Sequence, residues 1–574
     1  THAVIIDSAV DVPGAVTVSA TNAAEITAVA AGFAVAFSNP DADEPTATSL
    51  ALSVALTINQ ISADTSAYIQ DTTGVGIDAG SLNVTATDNS KINGIAGGIA
   101  ISLANEKSGG AKAAAGGVAL VFNNIDNTTG AYLDNADVIT TGDVNVDASS
   151  VGAIYALAIG GAVAAARGTG SGSTASLAGA GAFTSNTIRK GVFANIGNGS
   201  DVKAVNIGVT AQDTSTITAD AGGVAFAAAG STSSGSGASL SIGASLAFNS
   251  LDDSYVHASI DSSAIDASNN LSVTASSTGT IDALTFAGSG AIGASSGGSG
   301  YSASGAGAFA QHTIVNSIQA SITNSPSVDA DGAILVSATD TSTILAETYG
   351  FSFAAGLSSS DTGAALSVGV SLAFNTIDVD VAAFIDNSNV GDNTLTDSIT
   401  ISATGSTDIK ALSVAASLSV GGSSSGSAVA LSGGGAVAQN VILNDTNAYA
   451  KDSFLASGGT VDITAASTST IEAAVVAASV SIAVSASDKA GAASIGLALA
   501  YNYMGWRDGT EESNQVQAYV QNSSIDADGA LTLSATAEQD IDVAVGAGSA
   551  AVSGGSDALG LSGAGVQTVN RISE

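Results

Sequence analysis

One phrase recurs nine times along this chain and limits what the chain can fold into. An apolar-x-apolar-x-Ala motif ends at Ala20, Ala86, Ala148, Ala211, Ala275, Ala338, Ala403, Ala465 and Ala535, with spacings of 62 to 70 residues. Six residues after each alanine stands an isoleucine: Ile26, Ile92, Ile154, Ile217, Ile281, Ile344, Ile409, Ile471 and Ile541. An even offset keeps both residues on one face of an extended segment. A chain so built is an array of like units rather than a set of independent globular domains. Its approximate repeats are 1–61, 62–125, 126–188, 189–251, 252–314, 315–377, 378–442, 443–504 and 505–574, a single continuous array over 1–574 with a period of about 64.

One repeat shows the local pattern. Strand A is ILVSATDTSTI (334–344), and strand B is YGFSFAAGL (349–357). A polar turn follows, then strand C, AALSVGVSLAFNTI (364–377), and strand D, VAAFIDNS (381–388). Period-two alternation with Ser/Gly turns reads as β throughout. The expected fold is therefore all-β: an elongated β-solenoid-like array of stacked strands. An antiparallel stack of B–C hairpins, or meander, is the alternative.

Near the end of each strand C stands a polar residue, then a spacer and an aliphatic residue. The polar residues are Asn59, Asn123, Asn186, Asn249, His312, Asn375, Asn440, Asn502 and Asn570. Eight asparagines and one histidine at one repeat position predict a ladder, each amide donating to the next and accepting from the last. His312 then reads as a stand-in, since an imidazole also donates on one nitrogen and accepts on the other. Of the other histidines, His257 reads as exposed on a strand D, and His2 lies at the terminus.

A second period overlies the first. Strand C is rich in large apolar residues in repeats 4, 6 and 8 and rich in Gly and Ala in repeats 3, 5, 7 and 9. From repeat 3 onward the unit is a pair of about 127 residues. Neighbouring repeats are expected to occupy two different environments.

Composition narrows the function classes. Apolar residues make up 45% of the chain, largely Ala and Val, and there are 68 Gly and 4 Pro. Such a core needs closely spaced backbones. Fifty acids against twelve bases give a net charge of −38, which disfavours nucleic-acid phosphates as partners. With no Cys, thiol chemistry and disulfides are excluded. The apolar stretches are broken by Ser, Gly and Asn, so no helical membrane span is expected. An outer-membrane barrel is disfavoured by aromatics at only 4% with no girdle apparent. The chain begins at Thr1 with no leader pattern, and neither end looks capped. The expectation is a processed or partial chain whose ends stack on copies of itself or on flanking repeats.

No hydrolase, metalloprotease or phosphate-loop motif occurs, and the reading is of a non-enzyme. No cofactor is required by any pattern. Calcium is the one ion left open, through Asp78, Asp266, Asp329 and Asp526 in VGIDAG, AIDASN, SVDADG and SIDADG, and through the Asp/Asn loops at 39–45 and 386–397. Asp and Asn favour turns without any ion as well. Threonine rows such as ATDTSTI (338–344) would suit a flat ligand such as ice or polysaccharide.

The segment AYVQNSSIDADGALTLSATAEQDI (518–541) resembles units of the giant secreted bacterial β-strand-repeat exoproteins, including the filamentous-haemagglutinin-like adhesins. The resemblance covers all nine repeats as a pattern, without a diagnostic motif. It implies an extracellular or cell-surface structural protein: a rigid fibre, filament subunit or adhesin stalk. The alternative it leaves is a ligand-binding adhesin, or a Ca²⁺-dependent surface layer, that contacts cell-surface glycans. Where the chain departs is the long period, since ordinary β-helix units are nearer twenty residues.

Overall fold

The structure is a computed structural model and describes residues 1–40, 46–72, 74, 76–507 and 509–573. Strand accounts for 85% of it, and no helix occurs among the described residues. In repeat 6, A and B run together as one strand, Ala333–Ser358. C continues into the D of the following repeat as another strand, Gly363–Asp386. We call these the AB and CD strands. Between D and the next A lies a short T segment, in most repeats a strand of its own such as Ser327–Ala330.

Each D ends at a corner set by one residue in the left-handed backbone region. These are Asp7, Asp71, Asn135, Asn198, Ser262, Asn324, Asn387, Asp452 and Asn522, with φ from 47° to 58°. Asn and Asp tolerate that region better than other side chains, because their short polar groups hydrogen-bond locally.

Every strand pairs with its counterpart in the next repeat, parallel and nearly without slip. Ile281 lies opposite Ile344, which lies opposite Ile409. The CD strands make a sheet of eleven strands, and the AB and T strands make one of sixteen. Only Trp506–Arg507 and Thr510–Glu511 pair antiparallel among the described residues. B and C do reverse direction at the turn, but they enter different sheets and face each other instead of pairing.

The sixteen-stranded sheet closes on itself. Strand Ile77–Glu106 carries both a T segment, paired with Asp137–Thr140, and an AB segment, paired with Val144–Gly168. Strand Phe454–Ser485 does the same at the other end, pairing with Asn389–Val390 and with Thr396–Ser423. Five T strands and five AB strands lie between these two, so the pairing path forms a closed parallel barrel of twelve strands. This corrects both expected forms of the fold, the open β-solenoid-like array and the antiparallel hairpin or meander stack. The physical reason is that T is a paired strand rather than a turn, and two chain segments stay paired through the T–A corner and so join its ladder to that of AB.

The outline is also not elongated along the stack. Nine repeats spaced by ~4.8 Å make roughly 40 Å, while a strand of 25 residues such as Val144–Gly168 spans about 80 Å. The molecule divides along the strand direction into two parts. Where D, T and A face one another, large aliphatics close a core, with Ile322, Val328 and Ile334 of one repeat fully or almost fully buried. We call this the head. Where B faces C, the buried clusters are almost entirely alanine, and we call this part the blade. Its two sheets approach so closely that a Cβ on Gly160 would lie 2.0 Å from the carbonyl oxygen of Gly181.

Candidate functional site

The Asn column lies at the junction of blade and head. Side-chain amides donate in sequence from Asn59 to Asn123 (2.8 Å), from Asn123 to Asn186 (2.7 Å) and from Asn186 to Asn249 (2.7 Å). A second run joins Asn375 to Asn440, Asn440 to Asn502 and Asn502 to Asn570, at 2.8, 2.8 and 2.9 Å. His312 sits between the runs, with its Nδ1 3.1 Å from Asn249 Nδ2. Accepting there assigns the proton to Nε2, yet Nε2 and the Oδ1 of Asn375 are both buried without a partner. On that side the column is not closed. Burial lowers the His312 pKa to about 3, so the ring is neutral and out of reach of solvent.

The head holds a second buried polar column that the sequence reading did not single out. Two residues after the repeated alanines, Asp88, Ser150, Asp213, Ser277 and Asp340 alternate on adjoining strands and point inward. Facing them from the CD sheet are Asn127, Lys190 and Asn316, all buried. Lys190 pairs with Asp88 and donates to Ser150 Oγ at 2.8 Å. Asn127 Nδ2 donates to Asp88 Oδ2 at 2.9 Å, and Asn22 Nδ2 to Asp88 Oδ1 at 2.6 Å. Burial pushes the Asp88 carboxyl up, but Lys190 and these donors outweigh it and hold the group below its ordinary range.

The next two acids fare differently. Burial raises Asp213 to about 6, with Lys190 only partly opposing it. Asp340 rises to about 7 through burial, and neither of its oxygens makes a well-formed hydrogen bond to Ser277 or Ser342 nearby. The signal in the sequence was the alternation of ATD (86–88), ASS (148–150), AQD (211–213), ASS (275–277) and ATD (338–340). With Lys190 only 1% exposed, the column is built to hold the head together rather than to meet a substrate.

The four aspartates considered for calcium are placed on or beside the T ladder rather than in turns. Asp266 lies directly opposite Asp329, whereas Asp78 lies opposite Asp11 and Asp526 opposite Ala456. The carboxylate of Asp329 is already occupied by Ser327 Oγ at 2.6 Å and by the backbone and side-chain nitrogens of Asn393 at 3.0 and 2.9 Å. Among the described residues, no three acidic or histidine side chains converge as a metal would require. In the 39–45 loop, residues 41–45 lie outside the described residues. His2 is exposed, whereas His257 is half-buried beside Tyr255 at 5.1 Å, not exposed as its place on strand D suggested.

The blade reverses the usual assignment of faces. In Thr46–Gln70, Ala51, Ser53, Ala55 and Thr57 point inward and are buried, while Leu50, Leu52, Val54, Leu56 and Ile58 point outward and are exposed. The outer side of the AB sheet shows the same habit, with Ile99 and Leu103 exposed. Along the CD side a file of rings, Phe122, Phe183, Phe248, Phe309 and Phe374, crosses five repeats with centroids 5.2 to 5.6 Å apart. A shallow trough on that side is lined by Leu177, Leu240, Tyr301, Leu366 and Leu431. Apolar side chains thus run contiguously along this side of the blade.

The chain matches no family model, no curated protein and no solved structure. Two features stand out: backbone edges at the ends of the stack and apolar faces on the blade. No helix among the described residues is long and apolar enough to cross a membrane.

Proposed function

We propose that this is a structural protein of the cell surface or extracellular space, a stiff stacked body that acts as a fibre or stalk component. The observation that supports it most is the one-to-one parallel register from the first repeat to the ninth. That register leaves a long backbone edge at each end, along Glu25–Ser38 and the start of Thr46–Gln70 at one, and along Leu531–Gly554 and Ala558–Ile572 at the other. Such edges are templates for a further repeat, whether from a second copy or from more of the same chain. The acidity and the lack of Cys suit an exterior setting.

Electron microscopy of the purified chain, with and without chelator, tests this. End-to-end filaments about as wide as one long strand are expected, unchanged by chelator. Particles that stay single at every concentration and salt would remove the fibre reading, and dissolution by chelator would replace it with a calcium-built layer.

A further inference from the structure

On the outer face of the blade's CD sheet, the two-repeat alternation becomes relief. One row across the strands reads Gly179, Ile242, Gly305, Val368, Gly433 and Ile495, each opposite the next. Two residues further along, the row reads Gly181, Ala244, Gly307, Val370, Gly435 and Leu497, the same alternation with a low ridge of alanine at 244. Ile242 and Ile495 are 49% and 57% exposed. A Cβ built on Gly179, Gly305, Gly307, Gly433 or Gly435 would meet nothing within 4 Å. The large side chains are thus ridges, and the glycines floor open furrows that the molecule's own neighbours do not fill. Ridges recur every second strand, about 9.6 Å apart.

We propose that this face packs against the same face of a second copy, ridge into furrow. A two-fold axis running along the strands, midway between a ridge strand and a furrow strand, reverses the stacking order and preserves position along the strand. It therefore lays every ridge of one copy over a furrow of the other at the same level. A partner that fills all furrows at once needs the same two-strand spacing, and another copy has it by construction. The face spans the seven strands of repeats 3 to 9, roughly 34 Å by 27 Å or about 900 Å² per copy, which exceeds the ~800 Å² per partner of a standard stable interface.

Charge does not oppose the contact locally. Segments 175–185, 238–248, 301–311, 364–374, 429–439, 491–501 and 559–569 contain no charged residue, so the −38 lies elsewhere. Immersion in lipid fits less well, because the open strand edges of the blade would leave backbone groups unpaired in hydrocarbon. This contact is lateral and independent of the end-to-end edges.

Analytical ultracentrifugation of the full chain tests it, at low and moderate salt. Wild type is expected to dimerise, more tightly as salt screens the net charge. At Gly305 and Gly435 a Cβ meets no atom of the chain within 4 Å, so Gly305→Leu and Gly435→Leu are expected to keep the fold, with circular dichroism as the check. They fill furrows, and dimerisation should weaken about tenfold or more. Ile242→Lys with Ile495→Lys should abolish it. A wild type that stays monomeric overturns the proposal, and so does a Gly305→Leu chain that associates as tightly as wild type, since plain stickiness would gain from leucine. Flotation of wild type with phosphatidylcholine vesicles in place of dimerisation would make the face a lipid surface and overturn it as well. Filaments that persist in Gly305→Leu after dimers are lost leave end-to-end stacking intact.

Discussion

At the scale of the residue, His312 marks a break. In that column the inner asparagines of each run are held by the one before and the one after, whereas His312 satisfies only one side and leaves Asn375 Oδ1 without a donor. His312→Asn should restore a donor to Asn375 Oδ1 and raise stability by about 1 kcal/mol in denaturant unfolding. Asn440→Leu should cost about 2–4 kcal/mol, because Asn375 loses its acceptor and Asn502 its donor in a buried setting. Lys190→Met leaves the Asp88 carboxylate buried and unpaired, a loss of about 3–5 kcal/mol that adding Asp88→Asn should partly recover. Asp340 supplies a pH dependence. Its folded pKa, about 7, lies above the ordinary 3.8, so the folded state holds a proton that the unfolded state has released. Stability from this group is full below about 4, falls as pH rises to about 7 and is then gone, a change of up to about 4 kcal/mol. Unfolding midpoints of Asp340→Asn against wild type across that window check the sign, since the variant should lose this slope. The column of asparagines was plain in the sequence because one polar residue in an apolar strand end stands out. The Asp/Ser column was not, because Asp88 and Ser150 look like the hydroxyl and carboxylate surface of any exposed strand.

At the scale of the element, alternation told that strands were present but not which face turned inward. In Thr46–Gln70 the ordinary rule would bury Leu50, Leu52 and Val54, yet Ala51, Ser53 and Ala55 are the buried set. Small residues let two sheets approach to backbone contact, and only the short side chains fit between them. The T strand was missed for a related reason, since SVDA and AIDA are short and carry the Asp and Gly neighbours of a turn. What identifies them is position, with Val328 and Ile265 filling the third side of the head's core. Glycines should therefore respond by location. Gly160→Ala drives a Cβ into the Gly181 carbonyl and should cost about 2–3 kcal/mol, while Gly305→Ala opens onto solvent and should stay within about 0.5 kcal/mol. Ile322→Ala in the head should cost about 2–5 kcal/mol, the penalty of a cavity among large aliphatics. Paired thermal melts of the three variants separate these cases.

At the scale of the whole molecule, the repeat period and its register were legible from nine alanine–isoleucine pairs, but the outline was not. Period gives the number of stacked units, whereas strand length gives their breadth. Here the breadth, about 80 Å, exceeds the stack, roughly 40 Å. Small-angle scattering of a monomeric variant should return a flat slab of those proportions rather than a rod. The closure of the AB and T ladders was hidden as well, because it depends on Ile77–Glu106 and Phe454–Ser485 staying paired through a corner that separates T from A in the repeats between them. The alternation of ridge and furrow, finally, restricts how such a chain can change in length over generations. Recombination between like units that adds or deletes a single repeat would set ridge beside ridge and spoil the relief beyond the joint. Gain or loss of two repeats at once leaves it continuous, so a lineage that keeps this face should count its units in pairs.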